Sequence, residues 1–326
     1  KGKPMICIIC RVNKNKEDMS DEHVIPDSLG GFYHIFNVCK TCNSIMGEKI
    51  DSPLVNHTFT DFYRLQESMK GKSGHLPNPL SGIFTEKTNP DVKAQMKVNK
   101  QGGLELTYMP NIKEDYDPDG NQIIEITVDS KEESKLDGIF EKIIKRKGLS
   151  GLAQIKIEKR REKRSEAVHG KLKIDILKFK MGMLKIAYEF AVDTIPDFFS
   201  SADAIKISNI LKNADYERVE DYAKIGSGLQ PEIFNGFSKY LDFSSKKHYL
   251  ILTNSEFGLL CLVKLHNLFD IGFILSERNF LKNFDESIIG INDIEGKNFR
   301  KLKITKLIQE CLSSLYVRFI YCFHDE

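Results

Sequence analysis

The sequence predicts an α+β fold in which a small stapled module precedes a larger mixed α+β domain. Three observations support this. Four of the seven cysteines fall at Cys7, Cys10, Cys39 and Cys42, as two Cys-x-x-Cys pairs. A Gly/Pro/Ser-rich stretch, Gly71–Gly82, follows that region and reads as a linker. Beyond it, helical and strand periodicities alternate along the chain. The expected division is a module over residues 1–70, a linker over 71–90 and an α+β domain over 91–326.

Each element has its own signal. Leu54, Phe59, Phe62, Leu65 and Met69 recur at helical spacing over Leu54–Lys70. Val92–Met109 alternates and is split by Gln101-Gly102-Gly103, the pattern of a hairpin. Tyr116–Asn121 is a turn and Ile123–Val128 a strand. Lys131–Lys147 reads as a helix stopped by Gly148, and Ala153–Arg160 as a strand. Leu177–Ala191 is an apolar helix ended near Pro196, and Ser201–Lys212 is another helix. Tyr249–Thr253, Gly258–Leu265 and Ile271–Leu275 read as short apolar strands, and Leu302–Leu315 as a helix.

Composition narrows the function. With 48 basic and 46 acidic residues the net charge is +2, so attraction to a polyanion must come from local patches. No apolar run approaches the roughly 20 residues of a membrane span, so no membrane partner is expected. The run Met5–Cys10 is too short for a signal peptide, and the odd cysteine count argues against a disulfide framework. A reducing, cytoplasmic location is the expectation. Walker, GxSxG and dinucleotide motifs are absent from the sequence.

Cys7, Cys10, Cys39 and Cys42 have the spacing of a tetrahedral zinc site. Four thiolates close the coordination sphere, so this Zn²⁺ is expected to be structural. A module of about 50 residues has too small a core to stand alone, and a metal supplies what is missing. The 28 residues between Cys10 and Cys39 must contain folded structure of their own.

Those intervening residues carry the chemical information. They contain Asp21-Glu22-His23-Val24-Ile25-Pro26, the pair Gly30-Gly31 and Asn37, and Asn43 follows Cys42 directly. In this order, inside the cysteine frame, the region resembles the HNH endonuclease family in its four-cysteine, ββα-metal branch, with Asn at the last position of the signature. The resemblance covers about residues 5–53. It implies hydrolysis of phosphodiester bonds with a catalytic Mg²⁺ or Mn²⁺. It assigns His23 as general base, Asn37 as the residue that holds the loop and orients that base, and Glu22 and Asn43 as ligands of the catalytic ion. Asp21 is the alternative oxygen donor beside Glu22, and His57 and Asp51 are further candidates downstream. The residue types suit that chemistry. An imidazole near pKa 6.5 accepts a proton at neutral pH, and hard oxygen donors suit Mg²⁺ or Mn²⁺. The Gly30-Gly31 pair permits a tight turn between two strands.

Outside that region, Lys142–Arg164 holds ten basic and two acidic residues. Lys145, Arg146, Lys147, Lys159, Arg160 and Arg161 are the candidate phosphate contacts. A solvated helix end is the equally weighted alternative.

The function expected is a metal-dependent DNA endonuclease of bacterial or phage defence or restriction. The alternative is a catalytically silent, zinc-bearing protein that binds nucleic acid or regulates. DNA is the expected partner. Duplex cutting needs two sites, so a homodimer is a natural arrangement. A small-molecule or protein activator of the C-terminal domain is a further expected partner.

Overall fold

The structure is a computed structural model that describes residues 4–71, 74–149, 157–164, 166–223, 225–228 and 231–321. The chain opens with β1 (Met5–Ile6), β2 (Asn13–Lys14), β3 (Met19–His23), β4 (His34–Cys39), α1 (Lys40–Met46), α2 (Ser52–Val55) and α3 (Thr58–Gln66). It continues with β5 (Ile83–Glu86), β6 (Lys93–Val98), β7 (Leu104–Tyr108), β8 (Asn111–Tyr116), β9 (Gln122–Thr127), α4 (Leu136–Lys147) and β10 (Val168–His169). Next come α5 (Ile176–Thr194), α6 (Pro196–Phe199), α7 (Ala202–Asn213), β11 (Ile225–Gly228), β12 (Lys247–Ser255) and β13 (Gly258–Leu265). The last elements are β14 (Phe269–Ser276), β15 (Ile288–Asp293), β16 (Asn298–Lys303) and α8 (Ile304–Tyr321). The α+β expectation holds, with the small cysteine module first.

The division of the chain differs from the sequence expectation. One compact unit comprises Lys1–Gly74 together with Ile174–Glu326; the other is His75–Lys173. Residues 91–326 therefore do not form one domain. The physical reason lies in α5, which is buried continuously from Phe179 to Val192. A helix apolar on every side needs cover on every side, and here the N-terminal module supplies part of it.

In the first unit, six antiparallel strands lie in the order β11-β14-β13-β12-β15-β16. The central strands are buried on both faces, which explains their continuous apolar runs. Leu250, Leu252, Cys261 and Val263 share one core with α5 and the N-terminal module. Tyr249, Ile251, Leu260 and Leu262 face a second core with Phe234, Phe237 and Leu307. The Leu302–Leu315 expectation is shifted: Leu302 lies near the end of β16, and α8 starts at Ile304.

Polar contacts fasten the module to the rest of this unit. The Arg11 guanidinium donates to Ser208 Oγ at 2.9 Å and to the Phe199 carbonyl at 2.9 Å. Tyr188 donates its hydroxyl to the Ile8 carbonyl at 2.6 Å. Asn292 accepts from the Phe32 amide at 2.6 Å and donates to the Gly30 carbonyl at 2.8 Å. His248 donates from Nε2 to the Leu29 carbonyl at 2.8 Å.

The second unit contains a four-stranded antiparallel sheet, β10-β5-β6-β7, and the β8–β9 hairpin. The hairpin expected over Val92–Met109 is β6–β7, turning through Gly102 at φ 85°. Helix α4 ends as expected, with Gly148 left-handed at φ 67°. Of the strand expected over Ala153–Arg160, residues 153–156 lie outside the described residues, and Ile157–Arg160 form no strand. Among the described residues no helix is long and apolar enough to cross a membrane.

Helix α5 meets α2 at closest approach through Gly182, where a Cβ would lie 2.7 Å from Leu54 Cδ2 and 2.8 Å from Leu54 Cβ. Gly182→Ala is expected to destabilise the protein by about 1–3 kcal/mol through overpacking. Adding Leu54→Ala should return part of that loss. Urea unfolding of the two single variants and the double checks this, and additive losses would contradict it.

Candidate active site

The site begins with the cysteine frame. Cys7 and Cys10 flank the turn of the β1–β2 hairpin, in which Met5 pairs with Lys14. Cys39 ends β4, and Cys42 lies in the first turn of α1. The Ile8 amide donates to the Asn37 carbonyl at 2.9 Å, which sets the hairpin beside β4. The Cys39 amide donates to Cys7 Sγ at 3.3 Å, and Cys10 Sγ lies 3.9 Å from Cys39 Sγ. The four sulfurs all fall within 4.8 Å of one another. Zn–S bonds of about 2.3 Å in a tetrahedron place sulfurs about 3.8 Å apart, so the cluster fits zinc. Among the described residues it is the one group of three or more His, Cys, Asp or Glu donors close enough to hold an ion.

Strands β3 and β4 pair antiparallel, with Glu22 opposite Ile35 and His23 opposite His34; a bulge between Ser20 and Glu22 shifts the register. Gly30 is left-handed at φ 78° in the connection. A Cβ on Gly31 would lie 1.9 Å from the Ile25 carbonyl oxygen, so the chain passes too closely for any side chain there. The expected role of the glycine pair is met by two different constraints.

Asp21 is exposed and Glu22 is buried. His34 Nδ1 lies 2.8 Å from Asp21 Oδ1, and the His34 and His23 ring centroids are 4.1 Å apart. His23 is half-buried. Burial first, and the neighbouring His34 second, push its pKa below the ordinary 6.5. The imidazole is thus neutral at neutral pH, the form a general base requires. Asn43, in α1, donates its amide to Ser20 Oγ at 3.0 Å and to the Asp21 carbonyl at 3.0 Å. Asp21, His23, His34 and Asn43 therefore gather around one hairpin.

Two assigned residues have surroundings the resemblance does not anticipate. Glu22 is 2% exposed, and its carboxylate pairs with the ammonium of Lys185 on α5. Asn37 does not orient His23 through a side-chain acceptor: its Oδ1 is buried without a hydrogen-bond partner. Its main chain does hold the knuckle, and the ring beside His23 is that of His34. Of the downstream candidates, His57 caps α3 by accepting from the Phe59 amide at 3.2 Å and is buried against Phe179. Asp51 ends a π-turn, Gly47–Asp51, and accepts from Lys185 at 3.0 and 3.1 Å.

Residues 7–59 match the HNH endonuclease family. The match spans the cysteine frame, β3, β4, α1 and the start of α3. No curated protein and no solved structure matches the chain. Sequence reasoning missed His34, within the matched segment, and Lys185, which reaches it from α5. His34 had no motif to announce it, because its place depends on strand register. Lys185 did leave a signal: Lys185 and Glu189 stand four apart in a helix that is otherwise largely apolar.

The basic residues of the second unit are only partly available. Lys147 pairs with Glu114, Arg160 lies 2.7 Å from Glu125, and Arg161 lies 2.9 Å from Glu133. These are pairs at the surface, and the side chains of Arg160 and Arg161 remain 71% and 84% exposed. Lys145, Arg146 and Lys159 are exposed.

Zinc should be required for the fold of the HNH module. Cys10→Ser is expected to lower bound zinc well below about one equivalent per chain and to unfold this region. Zinc content and circular dichroism test this, and full zinc retention would contradict it. Glu189, fully buried beside Lys185, has both carboxylate oxygens without hydrogen-bond partners, and burial raises its pKa well above the ordinary 4.5. A folded-state pKa above the unfolded one costs stability as pH rises beyond 4.5. Glu189→Gln should therefore stabilise the protein at about pH 7.5 and have little effect near pH 4. Thermal melts at the two values check the sign.

Proposed function

We propose that this protein is an HNH-type endonuclease that hydrolyses phosphodiester bonds of DNA, with His23 as general base, in restriction or antiviral defence. The observation that supports it is the gathering of His23, Asp21, His34 and, from α1, Asn43 around one hairpin beside a four-cysteine frame, in a segment that matches the nuclease family. Asp21 and Asn43 fit a divalent ion in kind: they are adjacent, accessible and carry hard oxygens. They would hold a Mg²⁺ or Mn²⁺. When bound, such an ion supplies positive charge for the scissile phosphate.

The chain's own residues do the rest. His23, neutral at working pH, takes the proton of the attacking water. His34 packs beside that ring and bonds Asp21, so the two rings and the carboxylate hold one another in place. The Asn43 amide fixes the Asp21 main chain from α1. The cysteine frame locks the end of β4 to the start of α1, which keeps His34 and Asn43 in register.

The sequestered Glu22 favours a second reading, a zinc-bearing module that binds nucleic acid without cutting it. Plasmid nicking in Mg²⁺ and in Mn²⁺ separates the two. Wild type should nick, and His23→Ala should lose about 10²–10⁴-fold while keeping its zinc. Equal nicking by His23→Ala would remove His23 from the mechanism. Salt-dependent binding with no cleavage in either metal would establish the second reading.

A further inference from the structure

Lys185 lies outside the matched segment yet reaches into the site. Its side chain is 0% exposed. Its ammonium donates to the main-chain carbonyl of His23 at 3.0 Å and to the Asp51 carboxylate at 3.0 and 3.1 Å. It pairs with Glu22 as well, and Glu189 lies 3.8 Å away on the same helix. A buried ammonium must be surrounded by acceptors, and those acceptors are in turn fixed by it. Here they come from one strand of the hairpin, from the turn that follows α1 and from α5 itself. Glu22 and His23 belong to β3, and Asp51 ends the π-turn that follows α1, the helix carrying Asn43.

We propose that Lys185 is a positioning residue of the nuclease site, and that Glu22 serves as its counter-ion rather than as a ligand of the divalent ion. The proposal rests on the nuclease reading above. The bond to the His23 carbonyl fixes the main chain that carries the imidazole. The bond to Asp51 ties that strand to the helical segment bearing Asn43. Helix α5 thus completes a site that residues 7–59 do not complete by themselves. Glu22, 2% exposed and held by the same ammonium, balances the charge and has no free face for an ion.

The test uses the full zinc-loaded chain and the variants Glu22→Gln, Lys185→Met and the double variant. The double removes both charges and guards against failure of Lys185→Met to fold, and zinc content and thermal melts report folding in each. Mn²⁺ binding is followed by electron paramagnetic resonance, plasmid nicking by kcat and KM, and the His23 ring by NMR. Glu22→Gln should bind Mn²⁺ within about threefold of wild type, whereas loss of a true ligand would cost at least about tenfold. The folded Lys185 variants should lose about 10–100-fold in kcat with KM little changed, and their His23 ring resonances should move. Loss of Mn²⁺ binding in Glu22→Gln would overturn the proposal. So would wild-type kcat and an unmoved His23 ring in the double variant. If wild type itself fails to nick, the nuclease reading falls, and Mn²⁺ binding with the His23 resonances still decides whether Lys185 positions that ring.

Discussion

A single helix that has no exposed side sets the terms for this protein. Helix α5 is covered by the six-stranded sheet, by α7 and by the HNH module, and its burial draws those parts into one body. Because it carries Lys185 and Glu189 into a buried interior, it imposes an electrostatic condition as well as a packing one. Three carboxylates face one ammonium there. Removing the one ammonium of such a buried set typically costs about 3–5 kcal/mol, because the carboxylates are left uncompensated. The active hairpin and the core of the larger part are therefore stabilised by the same atoms.

Two kinds of rigidity meet at the hairpin. The sulfur frame, whose Cys7, Cys39 and Cys42 belong to the main core, fixes the end of β4 and the first turn of α1. The ammonium fixes β3 from within that core. Asp21, His23, His34 and Asn43 lie between these two anchors. That placement suits chemistry that needs groups held to a fraction of an ångström.

The sequence was most informative where chemistry and spacing coincide. The two Cys-x-x-Cys pairs, the hairpin at Gln101-Gly102-Gly103, the stop at Gly148 and the apolar strands near 249–275 each have a local cause and could be read directly. The fold class could be read for the same reason. Less legible were relations between distant segments. Nothing local marks His34 as the neighbour of His23, since that depends on a bulge just before it. The burial of Glu22 depends on Lys185, which lies on a helix far along the chain. The grouping of Ile174–Glu326 with the N-terminal module follows from covering α5, which is a property of the assembled core rather than of either segment. The surroundings of the charge run were hidden for a similar reason: Lys147, Arg160 and Arg161 pair with carboxylates on other elements of their unit.

The register shift between β3 and β4 makes chain length as informative as residue type. Side chains on a strand alternate, so one extra residue reverses which of them face inward from that point on. Here Phe36 and Asn37 of β4 stand opposite the single Asp21 of β3, so the extra residue lies on β4 and makes Ile35 the partner of Glu22. Loss of one codon there would re-pair Glu22 and His23 while leaving the composition of the segment almost unchanged. The hairpin should therefore tolerate substitution far better than it tolerates any change in its count of residues.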